Sequence, residues 1–158
     1  MSEPTVFDKI VSGELPSYKV WEDDSYLAFL TRWPSTPGFT GVVPKKNPGD
    51  NYLDVSEDAY TGLLLAARKV AALLRKAFDT YRIGLVLEGE GVPHLHVKLI
   101  PMHGLGKQTG EHAHVSYFTE TYQGYLSTAP GPEMTDEQFR AIQKKIQSAA
   151  AGDKEAAA

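Results

Sequence analysis

The chain contains no cysteine. That excludes disulfides, thiol catalysis and a cysteine zinc site, and 158 residues are enough to bury a core without such links. Long apolar runs are also missing. None reaches bilayer-spanning length, and the acidic start Met1-Ser2-Glu3-Pro4 lacks the apolar centre of a signal peptide. The expected location is therefore cytoplasmic, with no membrane partner. Positive charge is short as well: the net charge of −4 argues against a broad nucleic-acid surface, though not against a local basic pocket for a small anion. Neither an internal repeat nor a linker is visible. Residues 1–148 are read as one domain, and 149–158, with alanine and charge but no apolar stripe, as a disordered tail.

What is present reads as an α+β domain with an antiparallel sheet. Val6 to Val11 has helical apolar spacing and stops at Gly13. Tyr18–Trp21 and Tyr26–Leu30 are β-rich runs joined by a turn at residues 22–25, and Thr40–Pro44 is a third strand after the loop 34–38. Ser56 can cap a long helix whose first turn carries Glu57 and Asp58 and whose apolar stripe runs from Tyr60 to Phe78. Arg82–Leu87 is a strand, and Gly89-Glu90-Gly91 turns it back into the next. Residues 102–132 are glycine-rich and irregular. Thr135 to Gln138 match a capping box opening a helix through about Gln147.

The most informative stretch is Val92-Pro93-His94-Leu95-His96-Val97-Lys98-Leu99-Ile100-Pro101. As one strand it projects His94, His96 and Lys98 from one face, about 7 Å apart, with Val97 and Leu99 on the other. Two imidazoles and an ammonium suit a phosphate. Imidazole attacks phosphorus or moves protons near neutral pH, and lysine supplies fixed positive charge. A plain reading is that both histidines are polar residues of a half-exposed face and Lys98 is surface charge.

Other candidates are weaker. Glu111, His112 and His114 could bind a divalent metal, or be loop polars near a site mouth, and His103 joins them in a metal-based reading. Lys45 and Lys107 are solvated charges or help attract an anion. Trp21 reads as a packing residue, whereas Trp33, in a loop before Pro34, can stack on a base.

At the histidine strand the chain resembles the histidine triad (HIT) superfamily of nucleotide hydrolases and transferases. Its signature, His-φ-His-φ-His-φ-φ with φ apolar, is matched by residues 94–100 except that Lys98 stands at the third histidine. The likeness extends to Phe7–Tyr18, to Trp21-Glu22-Asp23-Asp24 through Ala28-Phe29, to Pro37-Gly38-Phe39-Thr40 and to Val43-Pro44-Lys45-Lys46.

The resemblance implies a HIT-like fold of about five strands with one long and one C-terminal helix, paired as a homodimer by joined sheets. It implies His96 as the nucleophile on the α-phosphorus, His94 as its orienter and Lys98 at the position that contacts phosphate and protonates the leaving group. Lysine can clamp phosphate but is a poor acid at its pKa near 10.4. It also implies a nucleotide pocket. Thr31 stands where an acidic or amide residue binds ribose, Phe39 where another histidine is usual, and Glu90 where a glutamine touches phosphate. The expected activity is hydrolysis or transfer at the α-phosphate of a dinucleoside polyphosphate or nucleoside phosphoramidate through a nucleotidyl-histidine. No cofactor or metal is required, and magnesium matters if a polyphosphate substrate arrives as its complex. Two alternatives stand beside it: a nucleotide-binding module with little turnover, and a metal-dependent phosphoesterase using His94, His96 and the 103–114 histidines.

Overall fold

A computed structural model describes residues 3–88, 91–105, 120–121 and 131–155. Three helices and five strands follow the order α1 (Val6–Ser12), β1 (Lys19–Glu22), β2 (Tyr26–Leu30), β3 (Thr40–Pro44), α2 (Glu57–Phe78), β4 (Ile83–Glu88), β5 (His96–Pro101) and α3 (Asp136–Glu155). The strands form one antiparallel sheet ordered β1-β2-β3-β5-β4, so β5 is inserted between β3 and β4. The expected α+β class, five-stranded sheet, long helix and C-terminal helix are all present.

Both sheet faces are covered, unequally. Ala28, Leu30, Val42, Val97 and Leu99 meet Leu63, Ala66, Ala67, Val70 and Leu74 of α2 and Phe139 and Ile146 of α3 in the main core. On the opposite face Leu27, Phe29 and Val43 receive Phe7, Ile10 and Val11 of α1. A seven-residue helix is not stable alone. α1 is held by this contact and by a capping box, in which Thr5 Oγ1 accepts from Asp8 N and the Asp8 carboxylate accepts from Thr5 N.

Two boundaries differ from expectation by more than one residue. The histidine strand does not begin at Val92 but at His96. Pro93 lacks the N–H that a ladder needs, His94 N donates back to Val92 O at 2.7 Å, and Leu95 N donates to Gly49 O at 2.6 Å instead of to a strand. α3 does not stop near Gln147 but continues to Glu155. Ala149 is buried, and the alanine, lysine and glutamate that follow are good helix formers even without a stripe. Among the described residues, no helix is long and apolar enough to cross a membrane.

Candidate active site

The register places the candidate residues. Phe29 of β2 faces Gly41 of β3, and Gly41 faces Lys98 of β5, so these three share one row of the sheet. Phe29 packs edge-on against Phe7 at 5.6 Å, which identifies this as the α1 side. Strand alternation then puts His96, two residues before Lys98, on the same side. Gly41 offers no side chain beside Lys98, and the ring of Phe29 lies 3.7 Å from where its Cβ would stand. One row further on, Thr31 N donates to Phe39 O at 3.1 Å, bringing those two residues together at the end of the β2–β3 pair.

Both histidines are buried, not half-exposed: His94 is 0% and His96 3% exposed. His96 Nδ1 lies 2.8 Å from the main-chain carbonyl of His94. A carbonyl only accepts, so Nδ1 carries the hydrogen and Nε2 keeps the lone pair. Phe7 lies edge-to-face with both rings, at 5.1 Å from His96 and 5.8 Å from His94. A buried, tautomer-fixed imidazole beside a half-buried lysine can act as a nucleophile or base toward an anion.

His94 is gripped on both sides. Its Nε2 donates to Pro44 O at 2.8 Å, while Nδ1 lies 3.3 Å from Thr5 Oγ1 and 3.4 Å from Asp8 Oδ1. Burial pushes its pKa below the ordinary value, and the Pro44 carbonyl and Asp8 only partly oppose that. Burial raises the Asp8 carboxyl, but the two Thr5 hydrogen bonds and the charge of His94 outweigh it and leave Asp8 below its usual range.

The nucleotide-pocket candidates are distributed unevenly. Thr31 Oγ1 is buried without a hydrogen-bond partner, a costly state for a hydroxyl and one that a ligand donor or acceptor would relieve. Phe39 is buried, and Trp33 is 54% exposed on the loop between them. Glu90, Lys107, Glu111, His112 and His114 lie outside the described residues. His103 Nε2 donates to Pro37 O at 2.8 Å and its ring packs edge-on to Phe78, so it tethers the loop leading to Phe39. Lys45 pairs with Glu22 at 3.5 Å, and Trp21 packs against the main core. Among the described residues no three His, Asp or Glu side chains group as a metal site.

Sequence reading missed Thr5, Phe7 and Asp8 as site residues. Thr5 and Asp8 carry the capping-box spacing Thr5-x-x-Asp8, which announces a helix start, and Phe7 and Asp8 fall within the family-like segment, but neither signal names a tertiary neighbour.

The HIT domain profile matches residues 12–105. An uncharacterised HIT-like protein of Methanocaldococcus jannaschii is 37% identical over 101 residues, 61% of this chain and 77% of that protein. The adenylylsulfatase HINT1 of Arabidopsis thaliana is 36% identical over 104 residues, 61% of this chain and 70% of that protein. The crystal structure of a hypothetical histidine triad nucleotide-binding protein from Sulfolobus tokodaii superposes with a TM-score of 0.70 at 27% identity, covering 92% of this chain and 91% of that one.

Proposed function

The chain belongs to the HIT domain family, and from that premise we propose that it hydrolyses or transfers at the α-phosphate of a nucleotide derivative, with His96 as nucleophile. The observation that carries the reading is the His96 Nδ1–H bond to the His94 carbonyl, which leaves Nε2 as the attacking atom on a buried face.

In the proposed reaction His96 Nε2 attacks the α-phosphorus. An N–P bond forms as the bond to the leaving group breaks, and that group departs with the bonding electron pair. Water then cleaves the N–P bond, releasing a nucleoside monophosphate and restoring the imidazole. Lys98, two residues on in β5, stabilises charge on the non-bridging oxygens through the transition state. The orphaned Thr31 hydroxyl takes a ribose hydroxyl, and Trp33 stacks on the base. Phe39 fills, with hydrocarbon, the place the family usually gives a histidine. Magnesium enters only with a polyphosphate substrate.

The same reading includes a homodimer of joined sheets. β4 is one of the two edge strands, with its far edge open among the described elements, and Leu85 on it is 44% exposed.

A second reading, a nucleotide-binding protein with little turnover, is favoured by Lys98 and Phe39 standing where the family has histidines. The test is release of nucleoside monophosphate from dinucleoside polyphosphates and nucleoside phosphoramidates, wild type beside His96→Ala, with and without chelator. Chelator-indifferent release by wild type alone, with a trapped nucleotidyl-protein adduct, supports covalent catalysis. Nucleotide binding without release supports the second reading.

A further inference from the structure

The His94 carbonyl that orients His96 lies outside β5, which begins one residue after Leu95. Its position depends on how the His94 side chain and its neighbours are tied. The ring Nε2 is fixed on Pro44 O at 2.8 Å, and Leu95 N on Gly49 O at 2.6 Å. Asn47 Nδ2 donates to Pro93 O at 2.9 Å and His94 N to Val92 O at 2.7 Å, and a further tie is on the α1 side.

Resting on the reading of His96 as the nucleophile, we infer that Thr5 and Asp8 are positioning residues. They hold the His94 ring from its Nδ1 side and so keep the His94 carbonyl on Nδ1 of His96.

One hydrogen decides which contact Thr5 makes. Thr5 Oγ1 lies 2.7 Å from Asp8 Oδ2 and 3.3 Å from His94 Nδ1, and a hydroxyl has a single hydrogen to give. When His94 is neutral its Nε2 carries the ring proton, since Pro44 O only accepts. Nδ1 then needs a donor, and the Thr5 hydroxyl, which donates to Asp8 Oδ2 at 2.7 Å, supplies it by turning from Oδ2 while Asp8 stays bonded to Thr5 N at 2.7 Å. When His94 is protonated, Nδ1–H donates toward Asp8 Oδ1, 3.4 Å away, and the Thr5 hydroxyl turns to Oδ2. The ring is held in both states by the same two side chains. The groups facing it are Thr5, Phe7 and Asp8 from the α1 side and the Pro44 carbonyl from β3. Phe7 offers no hydrogen bond in the ring plane, so without the cap the Nδ1 side would have no fixed partner.

Nitrogen-15 NMR of the imidazole rings in the full chain tests this. At about pH 7.5 wild-type His96 should be the Nδ1–H tautomer. Thr5→Val removes the hydroxyl at nearly constant volume and should lower the Nδ1–H to Nε2–H ratio of His96 about threefold or more. Thr5→Ser, which keeps the hydroxyl, should restore it. An unchanged ratio in Thr5→Val, or a failure of Thr5→Ser to restore it, overturns the inference. Asp8→Asn keeps an acceptor for Thr5 N but removes the charge. The titration midpoint of His94 should fall in it, and an unchanged midpoint overturns the role of Asp8 even if Thr5→Val does not fold. These signals report ring protons, not turnover. A wild type with the expected tautomer and no nucleotide chemistry would therefore defeat the proposed activity and leave this inference standing.

Discussion

The main-chain carbonyl of His94 accepts from Nδ1 of His96 at 2.8 Å, so a residue two positions upstream sets which ring nitrogen can attack. The ring of His94 does not touch this bond. It faces away to Pro44 O and to Thr5 and Asp8, and the orienting work falls to its backbone. The burial of both histidines means this bond competes with no bulk water, which makes the tautomer well defined.

His96→Ala should abolish release of nucleoside monophosphate while nucleotide affinity changes by less than about tenfold, because a nucleophile acts mainly in the transition state. Single-turnover rates and equilibrium binding, measured on the same preparations, separate the two. An equal fall in rate and affinity would remove His96 from the nucleophile's role.

Lys98→His should discriminate between leaving groups. A phosphoanhydride leaves as an anion and needs no proton, whereas an amine does. An alkylammonium is intrinsically a weaker acid than an imidazolium and transfers a proton less readily. The variant should raise kcat on phosphoramidates by about tenfold to a hundredfold and change kcat on dinucleoside polyphosphates little. A parallel fall on both substrates would show that the ammonium is needed in its own right.

Acid should destabilise the fold through His94 before it does so through carboxylates. Burial, the largest cause, depresses the folded-state pKa of His94 below its ordinary 6.5, so the unfolded chain binds more protons in that window. Its contribution is complete above 6.5 and is lost as pH falls through the folded midpoint, below which it levels off. Asp8, also depressed in the folded state, adds a second loss below its ordinary 3.8. Urea unfolding across pH 8 to 4 should show the first decline in wild type. It should be absent in His94→Gln, whose amide can still donate to Pro44 O. A decline of equal size in the variant would place its source elsewhere.

Much of this architecture was legible because its elements carry their own periodicity. The stripe of α2 and the β-rich runs of β2 and β3 each repeat at the period of the structure they form. The start of β5 was misread because alternation continues through Val92–Leu95, and Pro93 was not weighed as the residue that ends the ladder. The site was half legible. His96 and Lys98 announce themselves within one strand, and Thr31 and Phe39 entered only by family likeness. The contact of Thr5 and Asp8 with His94 joins residues about ninety positions apart, a separation that no local pattern encodes. The turn and loop residues at 89–90 and 106–119, where further candidates fall, lie outside the described residues.

Gly62 on α2 sits directly against Tyr26 of β2, and a Cβ built there would fall 2.0 Å from the Tyr26 hydroxyl oxygen. Ordinarily a helical Gly→Ala change stabilises by about 1 kcal/mol. Here the added methyl must push the ring of Tyr26 out of its seat between α2 and the sheet, and overpacking of this kind costs about 1–3 kcal/mol. The two terms oppose, and the contact distance decides for the second, so Gly62→Ala should lower the urea midpoint without changing the slope of the transition. Tyr26→Phe removes the offending oxygen but leaves ring carbons near the methyl, the closest of them 3.1 Å away. In a Tyr26→Phe background the Gly62→Ala change should therefore become neutral or stabilising. A double-mutant cycle measures this directly. Additive effects of the two substitutions would show that the helix and strand yield at this point without strain.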